Sequence, residues 1–132
     1  MTTRLFVDTS AWIALANRAE ASHETVSAAL RAPGVRLVTS TFVFDETTTL
    51  CRLRLGHAVA VRVGEVLRGD GVDLVHVTPD DLATAWDLFK ARSDQAYSFT
   101  DCTSFVVMRR LRLDTAAALD ADFVREGFRV VP

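Results

Sequence analysis

Residues 4–17 read Arg-Leu-Phe-Val-Asp-Thr-Ser-Ala-Trp-Ile-Ala-Leu-Ala-Asn. The apolar run Leu5-Phe6-Val7 is too short for a buried helix and stops at an acid, which predicts a buried strand over 4–7. The small and apolar residues behind it predict a helix over 11–17, with Ser10 or Asp8 as its cap. The same alternation continues along the chain. A helix over 22–30 is broken by Pro33-Gly34 and followed by a strand over 35–39, after which Ser40 or Thr41 caps a long helix towards Leu55. Gly56 separates this from a helix over 57–67, and the turn Gly69-Asp70-Gly71 leads to a strand over 72–77. Thr78-Pro79-Asp80-Asp81 then combines cap, proline and first-turn acids, opening a helix that reaches Ala91. A polar loop over 92–97, an apolar helix over 100–111, a weak strand over 116–119, a short helix over 121–126 and a strand over 128–131 complete the order. Strands alternating with helices predict an α/β fold with a mainly parallel sheet covered on both faces.

The 132 residues, 49% hydrophobic and 24% charged, fit one compact domain over 1–132. Mean hydropathy is slightly positive at +0.18, yet no charge-free stretch approaches the roughly 18 to 20 residues of a membrane span. Met1-Thr2-Thr3-Arg4 runs straight into the first strand without a signal-peptide pattern, so a cytoplasmic protein with no membrane partner is expected. Cys51 and Cys102 sit in no metal-binding or disulfide spacing and are expected to be reduced core thiols. Fifteen basic against seventeen acidic residues give a net charge of -2, which excludes a protein that holds nucleic acid by bulk positive charge but leaves room for a local site. Lys90 is the only lysine among those bases; the rest are arginines, which pair bidentately with phosphate or carboxylate.

In open α/β sheets the ligand crevice lies beyond the carboxyl ends of the strands. Asp8 and Asp120 each close a predicted strand, and Asp101 opens a helix after a loop, so all can reach that edge. Glu46 lies on the helical stripe Phe42, Glu46, Leu50, Leu53, an acid in an otherwise apolar face. Simpler roles exist for most of them. Asp8 and Asp120 can cap helices, and Ser98-Phe99-Thr100-Asp101 matches a capping box. Glu46 fits such a role less well, because a buried carboxylate is costly unless paired, as Arg109 or Arg110 could do, or bound to a cation. If all four acids converge, a hard divalent cation is needed to offset their repulsion, and oxygen-only ligands suit Mg²⁺ or Mn²⁺ better than zinc. Such an ion supports phosphodiester hydrolysis. His23, His57 and His76 lie away from these acids in sequence, so no histidine base is expected.

Phe6-Val7-Asp8-Thr9-Ser10, Asp45-Glu46-Thr47-Thr48-Thr49, Tyr97-Ser98-Phe99-Thr100-Asp101-Cys102 and Leu119-Asp120-Ala121-Asp122-Phe123, followed by Gly127-Phe128, resemble in order the successive motifs of PIN-domain ribonucleases. The similarity extends over essentially the whole chain and is nearest to the VapC-type toxins of toxin-antitoxin systems. It implies a PIN-like three-layer α/β/α sandwich and a Mg²⁺- or Mn²⁺-dependent endoribonuclease whose metal-binding and catalytic acids are Asp8, Glu46, Asp101 and Asp120. Thr9 and Ser98 match polar positions beside those acids and are expected to orient a carboxylate or bound water. Asp122 sits where the family often carries an acid or histidine; a solvated surface acid is the preferred role, as it is for Asp45.

The resemblance further implies 5′-phosphate and 3′-hydroxyl products, a homodimer, and a VapB-type antitoxin lying across the toxin. Arg92, just before the Tyr97 to Asp101 loop, is the first candidate to guide RNA; Arg109, Arg110 and Arg112, at the end of the following helix, are equally placed to cap its carbonyls or to face a partner. Trp12, Phe42, Phe44, Trp86, Phe89, Phe105 and Phe123 are expected in the core or a dimer interface. Two other functions compete. An aspartyl-phosphate phosphatase using Asp8 lacks the second acid such enzymes want, since that position is Ser10, and a non-catalytic RNA- or protein-binding module would not need acids at all four motif positions.

Overall fold

The computed structural model describes residues 2–132. β1 (Thr3–Val7) leads into α1 (Thr9–Ala16) and α2 (His23–Leu30), then β2 (Val35–Ser40), α3 (Thr41–Leu55), α4 (His57–Arg68) and β3 (Val72–Val75). The second half comprises α5 (Pro79–Ala91), α6 (Phe99–Arg110), β4 (Thr115–Ala117), α7 (Asp122–Arg125) and β5 (Arg129–Val131). All five strands pair in parallel, in the order β3-β2-β1-β4-β5. The chain builds outwards from β1 in one direction and then crosses back to build in the other. Right-handed crossovers therefore put α1 to α4 on one face of the sheet and α5 to α7 on the other. The reversal lies between β1 and β4, where Phe6 is in register with Ala116 and Val7 with Ala117.

The burial pattern explains why β1 is central. Leu5, Phe6 and Val7 are buried, whereas Thr3 and Arg4 are exposed. Phe6 packs against Phe123, and Phe123 meets Phe105 edge to face at 5.0 Å between ring centroids. α6 is buried continuously from Cys102 to Met108, so its apolar sequence reflects a helix enclosed on all sides rather than a surface helix. Both cysteines are free and buried, as expected. Behind the carboxyl end of β1, the Trp12 indole N–H donates to Thr39 Oγ1 (3.3 Å), whose hydroxyl donates to the Val7 carbonyl oxygen (2.9 Å). This buried relay joins α1, β2 and β1 directly beneath Asp8. Gly56, at φ +97°, turns the chain between α3 and α4 in a conformation that side chains rarely adopt.

Several predicted boundaries shift, and side-chain hydrogen bonds account for them. The predicted strand over 72–77 ends at Val75, because the Val77 N–H donates to Thr41 Oγ1 (3.2 Å) instead of continuing the ladder. The predicted strand over 116–119 ends at Ala117, because the Leu119 N–H donates to Ser10 Oγ (3.1 Å). Asp120 thus stands in the bend after β4 rather than at the strand's end. The predicted "mainly parallel" sheet is parallel throughout the described residues.

Candidate active site

A cleft of about 360 Å³ opens at the carboxyl edge of the sheet, where the strand order reverses. Asp8, Glu46, Asp101 and Asp120 all contribute to its walls, together with Thr9, Ser10, Glu20, Arg54 and Ser98. Four acids from four separate stretches of chain therefore meet in one hollow, and no histidine lines it. The meeting follows from topology: Asp8 leaves β1, Asp120 follows the adjacent β4, Asp101 begins α6, and Glu46 lies one turn into α3.

The simpler roles are also real, and they orient the acids. Asp8 caps α1; its Oδ2 accepts from the Ser10 hydroxyl (2.8 Å) and more weakly from the Ser10 N–H (3.4 Å). Asp101 belongs to a complete capping box, its Oδ2 accepting from the Ser98 N–H (2.9 Å) while its own N–H donates to Ser98 Oγ (3.0 Å). Asp120 Oδ1 accepts from the Asp122 N–H (3.1 Å). In each case one carboxylate oxygen is held and the other has no donor among the described residues. Glu46 has neither ion pair nor hydrogen bond among them. Arg109 and Arg110, which could have neutralised it, are engaged elsewhere: Arg109 donates to Glu126 (2.9 Å) and Arg110 to Asp81 (2.8 Å).

Asp8 is only 4% exposed. Burial pushes its pKa from the ordinary 3.8 up to about 7, against the hydrogen bond from Ser10 and with help from the charges of Asp101 and Asp120. Burial likewise raises Asp101 to about 6, aided by Asp120 and Asp122 and opposed by Ser98. Mutual repulsion in a partly dry hollow is what a bound cation would relieve. Among the described residues no group of three or more His, Cys, Asp or Glu side chains is placed to hold a metal ion directly. Mg²⁺ does not require one, since it keeps several waters and binds through one or two carboxylates. The donor set of the cleft, carboxylate oxygens without histidine or thiolate, is of the type that suits a hydrated divalent ion.

The structure redistributes the supporting roles. Ser98 holds Asp101, as expected. The partner of Asp8 is Ser10 rather than Thr9: the Ser10 hydroxyl donates to Asp8 and accepts from Leu119, clamping the ends of β1 and β4 together. Thr9 is buried in the cleft wall and accepts from the Thr47 hydroxyl (3.3 Å), tying α1 to the turn of α3 that carries Glu46. Arg92 is not brought to the cleft. Its guanidinium donates to the buried Glu126 carboxylate (2.6 Å), leaving Arg54 as the cation in the cleft wall. Asp122 pairs with Arg125 (3.0 Å) and Asp45 is exposed; neither lines the cleft. Of the aromatic residues, Trp12, Phe105 and Phe123 are fully buried, whereas Trp86 is 52% exposed and stacks on Phe89. Ser10 carried a visible signal in the Asp-Thr-Ser triplet, but Arg54 carried none, since its place in the cleft wall depends on how α3 packs against α1.

The model of the PIN domain matches residues 5–128. The chain belongs to the PIN-domain family. This PIN domain is 39% identical over 124 residues to the 23S rRNA-specific endonuclease VapC20 of Mycobacterium tuberculosis, covering 94% of this chain and 95% of that one. Ribonuclease VapC26 of the same organism is 28% identical over 116 residues, covering 88% and 86%. The crystal structure of M. tuberculosis VapC20, described as a sarcin-ricin loop cleaving toxin, superposes with a TM-score of 0.92 at 38% identity over 97% of this chain and 99% of that one. VapBC2 from Rickettsia felis, solved bound to a DNA fragment from its promoter, shares the fold at a TM-score of 0.72 with 10% identity, over 97% of each chain. The relatives that the chain matches over nearly its whole length are named as an endonuclease and a ribonuclease, and the chain is a VapC-type nuclease.

Proposed function

We propose that this PIN domain is an endoribonuclease toxin that hydrolyses RNA phosphodiester bonds with Mg²⁺ or Mn²⁺ held by Asp8, Glu46, Asp101 and Asp120. The observation that carries this is the meeting of four carboxylates in one cleft at the sheet's switch point, with Asp8 and Asp101 held above the ordinary carboxylate range. When bound, the cation would acidify a coordinated water and offset negative charge on the phosphoryl oxygens.

The chain's own residues prepare the site. Ser10 and the Ser98 N–H each hold one oxygen of an acid, so the other oxygen faces the cleft without side-chain reorganisation. Thr9 and Thr47 keep α1 and α3 at a fixed separation, which sets the position of Glu46 relative to Asp8. Arg54 places a permanent positive charge in the wall, suited to a phosphate flanking the cleavage point.

The substrate class supported by the likeness to VapC20 is 23S ribosomal RNA. The chain acts in the cytoplasm and is held inactive by a VapB-type antitoxin encoded beside it. It works as a homodimer; the exposed Trp86 and Phe89, packed on Phe99, form an aromatic surface suited to a second copy. Among the described residues no helix is long and apolar enough to cross a membrane.

The test is incubation of purified, antitoxin-free protein with labelled ribosomal RNA in Mg²⁺, Mn²⁺ or EDTA. Discrete cleavage with either metal and none in EDTA is expected. Cleavage that persists in EDTA, or intact RNA under every condition, would refute the assignment.

A further inference from the structure

The acids that equip the cleft for a cation also repel the RNA it must hold. Phosphate contacts supply most of the affinity for a nucleic acid chain. Yet the net charge is -2, and Arg54 faces Glu20 and the four proposed site acids across the cleft. Beyond the one arginine in the cleft wall, further phosphates of the strand need cations beside the cleft.

The arginines differ in availability, and Arg112 and Arg129, though free of side-chain bonds among the described residues, line neither the cleft nor the arginine-ringed hollow beside α1. On the α5 to α7 face, Arg92, Arg109, Arg110 and Arg125 are all committed to carboxylates, at 2.6 to 3.0 Å. On the α1 to α4 face, the side chains of Arg18, Arg31, Arg52, Arg54, Arg62 and Arg68 have no hydrogen bond or ion pair among the described residues. Three of these, Arg18, Arg31 and Arg62, surround a predominantly polar hollow of about 710 Å³, which also takes in His23, Ser27 and a single acid, Glu24. The His23 Nδ1–H donates to the Ala14 carbonyl oxygen (2.8 Å), fixing the ring at the start of α2. The hollow adjoins the cleft through α1: Ser10 and Ile13 line the cleft, Leu15 and Ala16 the hollow. The connection after α1 repeats this arrangement, with Arg18 in the hollow and Glu20 in the cleft.

From this juxtaposition we infer that the hollow ringed by Arg18, Arg31 and Arg62 is an RNA-backbone site, taking phosphates that flank the scissile bond and holding the strand across α1. The inference rests on the assignment of RNA as substrate. Arginine suits the task because its planar fork binds phosphate oxygens bidentately and keeps its charge. An acidic protein segment is the competing occupant; the polar lining and the need to offset the acidic cleft favour phosphate.

The test compares the wild-type chain with Arg18→Ala/Arg31→Ala/Arg62→Ala and with a control of equal charge, Lys90→Ala/Arg112→Ala/Arg129→Ala. All six side chains are exposed, and surface changes of this kind rarely alter stability by more than about 0.5 kcal/mol each. Binding of a fluorescein-labelled RNA stem-loop is followed by anisotropy in EDTA from about 50 to 300 mM potassium chloride, and cleavage is measured in Mg²⁺. Losing three phosphate contacts should weaken binding at least tenfold and flatten the slope of log K against log salt by about 2, at about 0.7 to 0.9 per contact. KM should rise with kcat little changed, and the control triple should keep the wild-type slope. If wild type cuts RNA and the two triple variants bind alike, this inference falls and the nuclease assignment stands. Unchanged RNA binding with loss of the complex formed with the co-expressed antitoxin would assign the hollow to the protein partner. Wild type that neither binds nor cuts RNA would overturn both.

Discussion

Replacing Asp8 by Asn should make the protein more stable and less active. Asp8 is buried, and its pKa stands at about 7 against an ordinary 3.8. The folded chain therefore binds a proton between about pH 4 and pH 7 that the unfolded chain has released, so stability falls as pH rises across that window and levels off above it. At about 1.4 kcal/mol per pH unit the full effect is about 4 kcal/mol, of which about 3 kcal/mol falls between pH 5 and pH 8. Asp101, raised to about 6, adds to the decline in the same sense. Asp81 and Glu126 act oppositely: burial raises them, but the arginines beside them, joined at Asp81 by the Thr78 hydrogen bonds, together more than offset this and hold them below their ordinary values, so their contribution is lost only on stronger acidification. Asn at position 8 keeps an oxygen that can accept from Ser10 but cannot ionise. Urea unfolding in EDTA at pH 5 and pH 8 measures the difference. Wild type should lose about 3 kcal/mol or more over that interval while Asp8→Asn loses markedly less, and the variant should be the more stable at pH 8 by a few kcal/mol. Wild-type stability that is flat or rises from pH 5 to 8, or a variant weaker than wild type at pH 8, would refute the reasoning.

Glu46→Gln separates function from stability in the same way: Glu46 has no partner to lose among the described residues, so unfolding free energy should stay within about 1 kcal/mol while RNA cleavage falls about a hundredfold or more. Ser10→Ala removes the donor to Asp8 and the acceptor for Leu119; a loss of about 1 to 3 kcal/mol by urea titration, with at least tenfold slower cleavage, is expected. Glu126→Gln leaves Arg92 and Arg109 without their buried carboxylate and should cost about 2 to 4 kcal/mol in the same titration, with little change in cleavage by the protein that remains folded.

The order of strands and helices was legible because the strands are short, largely apolar runs and several helices announce their start. Ser98-Phe99-Thr100-Asp101 forms the expected capping box, and Thr78-Pro79-Asp80-Asp81, expected as a cap with proline and first-turn acids, closes into a second one. That Asp8 and Asp120 meet followed from the parallel topology, since residues after adjacent strands share one edge of the sheet, and the helices α3 and α6 that start at the same edge bring Glu46 and Asp101 to it. What the sequence did not disclose depends on contacts between distant residues. Arg92 looked free beside the site loop, but Glu126 lies 34 residues away in sequence and claims it. β4 stops early because Ser10, 109 residues distant, takes the Leu119 N–H. Local pattern carries backbone preference and burial; it does not say which of fourteen arginines will find a carboxylate.

The central claim, that the four acids form a cation-dependent RNA-cutting site, is tested most directly by cleavage of labelled ribosomal RNA by the wild-type chain and by Asp101→Asn, each in Mg²⁺ and in EDTA. Asp101→Asn keeps the size of the side chain and leaves an oxygen to accept from Ser98. Cutting by the wild type in Mg²⁺ alone, with at least a hundredfold loss in the folded variant, is predicted. Equal cutting by both proteins, or cutting that survives EDTA, would contradict the account.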